Sequence, residues 1–399
     1  MNLLFIFTGG TIGSTLSGDY ITTDENKPYE LLEAYRNKYG FEHTYNVMTP
    51  YTELSEQNTG ETISKLIRCV CDAVGGRPAD VDNDKGQAGL EDCLDGNKED
   101  EDDCRNRMGE VGKCCYDGII VTHGTDTLPY SAAALSYALG NTCIPVCLVS
   151  SNYPIADDKA NGVDNLHGAI RLMEDAVSHS EADASTEIEN GINDIDTMST
   201  GERKQDDKGM RHRGVFVSYR NHDGIIYIHR ASRLLETAAF SDKYYSIRDE
   251  YYGRIVDNSF QKNEAYKESD DKQDPIGEVV LADICDRIAR YHVYPGIQIK
   301  ADDRTECILL EGYHSGTLNT RLTEYQSFYE RMHELRVPVY LTGIRKGISY
   351  ESTSLYQKLH IQPLYDIAPV AAYIKLWMLI SAGRQWDSDI LNLPLGGDM

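Results

Sequence analysis

Short apolar runs punctuate the first two thirds of the chain, at residues 2–7, 43–48, 118–122, 144–149, 214–219 and 225–229. Runs of that length read as buried strands. The segments between them carry helical spacing. Pro28 opens one helix with Leu31, Leu32 and Tyr35 on a face. Ile63, Leu66, Ile67 and Val70 fall at i, i+3, i+4 and i+7 in a second, and Leu128, Ala132, Leu135 and Leu139 mark a third. Beyond residue 275 the alternation resumes on a smaller scale. Strands are predicted at 289–294, 306–311 and 338–341, and helices at 321–334 and 367–380, the last carrying Val370, Ile374, Leu376 and Met378. The pattern predicts an α/β protein. A large N-terminal, mostly parallel sheet has helices on both faces, and a smaller C-terminal α/β domain follows.

Three stretches break the rhythm. Residues 75–113, with the run Glu99-Asp100-Glu101-Asp102-Asp103, and residues 180–209 are acidic and poor in large apolar groups. They read as solvated surface insertions. Residues 256–275 are polar and read as a linker, giving an N-terminal domain over 1–255 and a C-terminal domain over 276–399.

Charge narrows the functional classes. The 399 residues hold 39 Lys and Arg against 64 Asp and Glu, a formal charge of −25. Such a chain lacks the general basic face that binds nucleic acid. No apolar stretch reaches the ~18–20 residues of a membrane span. The N-terminus has an apolar run without a basic flank or a small-residue cleavage site, so a cytoplasmic location is expected. The 10 cysteines form no CxxC pair and no zinc-spaced cluster, so free thiols and no metal are expected.

Two polar segments stand where strands end. Thr8-Gly9-Gly10-Thr11-Ile12-Gly13-Ser14 follows run 2–7. Its glycines permit a tight turn with free N–H groups that suit an oxyanion, and a threonine there is a candidate nucleophile. A phosphate-cradling turn is the other reading, although the segment matches neither GxGxxG nor GxxxxGK[ST]. Thr122-His123-Gly124-Thr125-Asp126-Thr127 follows run 118–122. Asp126 there also fits a plain helix cap, and His123 a plain structural hydrogen bonder. Two Thr- and Gly-rich clusters at two strand ends are positioned to converge on one crevice.

The pair TGGTI and HGTDT resembles the signature pair of the bacterial-type asparaginase/glutaminase family. Leu54-Ser55-Glu56-Gln57 is similar to the family's substrate-carboxylate loop. Tyr294-Pro295-Gly296, Glu311-Gly312-Tyr313 and Ala368-Pro369 resemble its C-terminal domain, and the Tyr-Pro-Gly match is closest to the cytoplasmic type I branch. The resemblance implies Thr11 as nucleophile, with Tyr20 against its hydroxyl. It implies Ser55 and Glu56 as holders of the substrate's α-carboxylate and α-amino group, and Thr125 and Asp126 as a second Thr-Asp pair, Asp126 also on the ammonium. It further implies hydrolysis of L-asparagine, and secondarily L-glutamine, through an acyl-enzyme. No cofactor is implied, and a homodimer or homotetramer is. One departure is visible. The lysine that ends the family's second triad falls at Glu236, and the remaining candidate cations are Arg233, Lys243 and Lys208. Two other readings share the motifs: the amidase subunit of a tRNA-dependent amidotransferase, which has an extra N-terminal domain, and a non-catalytic amino-acid-binding homologue.

Overall fold

The computed structural model describes residues 1–17, 20–23, 27–76, 114–190, 212–239, 241–347 and 349–399. Most of the two acidic stretches, Lys208, and the side chain of Tyr20 lie outside the described residues.

The chain opens on β1 (Asn2–Phe7), the hairpin β2 (Ser14–Ser17) and β3 (Tyr20–Thr23), helix α1 (Lys27–Tyr39), β4 (Thr44–Met48) and α2 (Gly60–Val74). It continues through β5 (Gly118–Thr122), α3 (Leu128–Leu139), β6 (Pro145–Val149), α4 (Gly162–Asn190), β7 (Gly214–Arg220), β8 (Ile226–Arg230), β9 (Gly253–Val256) and β10 (Ser259–Lys262). The large sheet has the order β10-β9-β8-β7-β6-β5-β1-β4. Strands β4, β1, β5, β6 and β7 are mutually parallel, and β8, β9 and β10 extend the sheet antiparallel.

Both faces of this sheet are covered, which is why its strands are apolar at nearly every position. In β1, Leu4 and Ile6 pack with α2 and α3, whereas Leu3, Phe5 and Phe7 pack with α1 and α4. The α/β class and the large mostly parallel sheet thus stand as expected. The connection after β1 runs to α1 on one face, and the connection after β5 runs to α3 on the other. Neighbouring strands whose helices leave to opposite faces open a crevice at their carboxyl ends, the topological switch point where α/β sheets bind ligands.

Beyond β10 come β11 (Ile288–His292), β12 (Cys307–Glu311), α5 (Thr323–Glu334), β13 (Val339–Ile344), β14 (Ile361–Tyr365), α6 (Pro369–Ser381) and α7 (Ser388–Leu391). Strands β11 to β14 form a second, wholly parallel sheet in sequence order. One face shares a continuous core with the large sheet through α6 and α3; the other buries Ile308, Leu310 and Leu341 against α5. At this junction Lys375 of α6 is wholly buried, its Nζ 2.9 Å from Asp398 Oδ2 and 2.7 Å from the Leu393 carbonyl. Tyr137 of α3 donates to the same Asp398 carboxylate at 3.1 Å.

Three local expectations are corrected. Residues 259–262, read as part of a linker, are the edge strand β10, paired with β9 through a turn whose Asp257 and Asn258 take φ 47° and 64°. Consecutive positive φ on Asp and Asn is the signature of a tight hairpin turn, and the polar alternation belongs to an exposed edge. Strand β14 escapes the sequence pattern because Pro363 interrupts it, and Pro sits in strands chiefly at edges. Helix α4 runs to Asn190, into the second acidic stretch.

Candidate active-site crevice

The carboxyl ends of β1 and β5 lie side by side, with Phe7 paired to Thr122. The two Thr- and Gly-rich segments therefore leave the sheet as neighbours. Thr8 Oγ1 donates to the Thr122 carbonyl at 2.6 Å. Gly9 and Gly10 then turn with φ 93° and 75°, a conformation open to glycine. A side chain at Gly10 would overlap the Gly124 backbone, and one at Gly9 would overlap Glu53. The third segment is stitched in by Gly10 N–H to the Glu53 carbonyl at 2.8 Å and Glu53 N–H to the Thr8 carbonyl at 3.1 Å.

Ser55 joins the third segment to the second. It is buried, and its hydroxyl oxygen accepts from Asp126 N–H at 3.2 Å and donates to Asp126 Oδ2 at 3.4 Å. Thr127 Oγ1 donates to the Ser55 carbonyl at 3.0 Å, and Asn58 Nδ2 lies 3.1 Å from Thr127 Oγ1 and 3.2 Å from His123 Nε2. Burial holds the His123 imidazole neutral, its pKa pushed down to about 4. Its Nδ1 donates to the Gly124 carbonyl at 2.8 Å and Nε2 accepts from Asn58, so His123 is an internal brace rather than a base.

Thr11 opens a short 3-10 turn, Thr11–Gly13, and is half-buried. Among the described residues its hydroxyl has no hydrogen-bond partner. The N–H groups of Thr11 and Ile12, orphaned at the start of that turn, also have no acceptor there. The Gly10 N–H is committed to the Glu53 carbonyl and is not free for another acceptor. Thr125 is half-buried, and Asp126 and Glu56 are exposed. Tyr244 is a site residue that the sequence reading misses. It is buried, its hydroxyl donates to the Thr125 carbonyl at 2.6 Å, and burial, with the Asp126 and Asp242 charges, raises its pKa. Nothing in its sequence neighbourhood marks it, because its role arises from a contact 119 residues away in the chain.

The family model for the N-terminal part of asparaginases matches residues 87–184, about a quarter of the chain. The L-asparaginase of Thermococcus kodakarensis is 47% identical over 55 residues, 14% of this chain and 17% of that relative. The solved thermostable L-asparaginase of the same organism superimposes with a TM-score of 0.66 at 18% identity, covering 100% of this chain and 99% of that one. The chain thus has the fold of the asparaginases and matches their family model over part of its length. One glutamyl-tRNA(Gln) amidotransferase subunit, from Methanococcus maripaludis, aligns over a longer stretch, 297 residues at 24% identity, covering 71% of this chain and 62% of that relative. The curated relatives are thus matched over less than two thirds of their own length.

Glu236, the position where the resemblance places a lysine, is engaged elsewhere. Glu236 accepts hydrogen bonds from the Tyr130 hydroxyl and from Arg290 Nη2, the latter at 2.6 Å; Arg290 also reaches Tyr130 at 2.8 Å and bonds Glu311. Glu236 is therefore neutralised by a cation from β11. Arg233, a candidate substitute cation, is buried with Nε 2.8 Å from the Gly397 carbonyl and Nη1 3.6 Å from Glu250. Lys243 lies over the Tyr245 ring at 5.1 Å. Neither contact involves Thr125 or Asp126. Tyr20 begins β3, paired with Ser17.

Proposed function

We propose that this chain is an asparaginase-type enzyme that hydrolyses the side-chain amide of L-asparagine, and L-glutamine second, with Thr11 as nucleophile. The observation that carries the reading is the closure of three sequence-distant segments, around residues 10, 55 and 124, on one crevice at the sheet's switch point. In this reading the Thr11 oxygen bonds to the amide carbon. The turn's N–H groups take the developing oxyanion; the carbon–nitrogen bond then breaks, and the proton lost by the Thr11 hydroxyl goes to the leaving nitrogen, which departs as ammonia. Water then cleaves the ester and restores Thr11. Glu56 and Asp126 supply carboxylates for the substrate ammonium, and Tyr20, Thr125 and Ser55 complete the pocket. A homodimer or homotetramer in the cytoplasm accompanies this reading; among the described residues no helix is long and apolar enough to cross a membrane.

A second reading is favoured by the arrangement at Glu236. Without a lysine beside Thr125, the crevice would bind an amino acid and not turn it over. The long alignment with the amidotransferase component favours a third, in which released ammonia is passed to a partner. Ammonia release from asparagine and glutamine by the purified chain, compared with Thr11→Ala, decides between them. Turnover by the chain alone, lost by about 10³-fold or more in Thr11→Ala, supports the hydrolase. Calorimetric binding of asparagine without ammonia overturns it in favour of the binding homologue.

A further inference from the structure

A second cavity lies away from the crevice, on the small sheet. Its volume is about 850 Å³, within the range of small-molecule sites, and it opens between the end of α5, the turn after β13 and the start of β14. Arg336, Lys346, His333 and His360 line it, together with Tyr329, Tyr356 and Tyr365. Among the described residues no carboxylate lines it, in a chain whose acidic residues outnumber its basic ones by 64 to 39. Among the described residues neither Arg336 nor Lys346 has an ion-pair partner, whereas most other described arginines do. The His333 and His360 rings stack in parallel, centroids 3.5 Å apart and planes 4° apart.

The backbone that presents these groups is unusual. Helix α5 ends in a Schellman motif: Val337 N–H bonds the Met332 carbonyl at 2.9 Å and Arg336 N–H the His333 carbonyl at 3.0 Å. The turn before β14 ends in the same way, with Ile361 N–H on the Tyr356 carbonyl at 2.9 Å and His360 N–H on the Gln357 carbonyl at 3.2 Å. The residue that takes left-handed φ in this motif is normally glycine. Helix α6 obeys the rule, closing on Gly383 at φ 63°. At the cavity the two positions are instead Arg336 at φ 60° and His360 at φ 56°. Both bring a nitrogen-rich side chain to the same opening, at a backbone cost that glycine avoids.

We infer that this cavity is a binding site for a small organic anion, with a phosphate or carboxylate head held by Arg336, Lys346 and the histidine pair and a planar body against the tyrosines. Guanidinium and ammonium groups left without carboxylates are the chemistry that recognises such a head. The phenol and imidazole faces suit a ring. The site is independent of the crevice at Thr11 and of the reaction assigned there.

Calorimetric titration of the full chain with AMP, citrate and inorganic phosphate tests the inference. AMP or citrate is expected to bind more tightly than inorganic phosphate, because only the organic anions have a body to pack. Arg336→Gly with His360→Gly places at both turns the residue their backbone favours, so the fold is retained while two nitrogen groups are lost. This double variant is expected to keep or raise the Tm and to weaken binding by about tenfold or more. Lys346→Gln, on a free surface turn, is expected to weaken it in the same direction. Absence of binding by all three probes up to ~10 mM, equal binding of inorganic phosphate and AMP, or unchanged affinity in a well-folded double variant would each overturn the inference.

Discussion

At the scale of single residues, the crevice depends on groups that brace its walls as much as on groups that face it. The Tyr244 hydroxyl satisfies the Thr125 carbonyl in a buried setting, so its removal leaves an acceptor unpaired. Tyr244→Phe is expected to cost about 1–2 kcal/mol of stability by denaturant unfolding. If Thr125 takes part in the proposed amide hydrolysis, Tyr244→Phe is also expected to lower kcat more than it alters KM. His123 carries a pH signature. Its folded pKa, about 4, lies below the ordinary value of 6.5, so at acid pH the unfolded chain binds the extra proton. Stability is therefore intact above pH 6.5 and is lost as pH falls from 6.5 towards 4, by about 3 kcal/mol from this group. His229, buried and pushed down to about 3, acts in the same direction. Chemical denaturation between pH 7 and 4 should show the decline, and His123→Gln should flatten part of it.

At the scale of elements, the turn after β1 is the tightest constraint. Gly10 combines φ 75° with direct contact against Gly124, so Gly10→Ala adds both backbone strain and a clash that no flexible side chain can relieve. A loss of about 2 kcal/mol or more is expected by denaturant titration, together with loss of asparagine binding. Gly13, with open space where its Cβ would lie, should tolerate alanine and serves as the control. These elements also show what a sequence makes legible. The fully buried strands β1, β5 and β6 are plain because apolar runs of that length have few other uses. Edge strand β10 is hidden by its solvated residues, although Asp257-Asn258 holds the hairpin signal. The glycine pairs announce close approach at residues 10 and 124, yet which backbone each one meets is a tertiary fact. Tyr244 and Arg290 are invisible for the same reason: their partners come from distant strands.

At the scale of the whole molecule, Glu236 and Arg290 tie the two sheets together. Glu236, where the resemblance places a lysine, serves a junction, so introducing lysine there is expected not to add activity. Glu236→Lys would set a second cation beside the Arg290 guanidinium and destabilise the chain by about 1–2 kcal/mol, with no gain in ammonia release. Glu236→Gln, which keeps a hydrogen-bond acceptor at a half-exposed site, should cost under ~1 kcal/mol and blunt the salt dependence of unfolding. A gain of turnover in Glu236→Lys would instead mean that the side chain can leave Arg290 and reach the crevice.

Helix α3 begins beside Thr125 and Asp126, and at its far end Tyr137 is moored to the submerged Lys375–Asp398 ion pair. A rod pinned at both tips cannot tilt to admit a bulkier guest. In the proposed reaction, an amide longer by one methylene must then be accommodated by groups of the crevice other than α3.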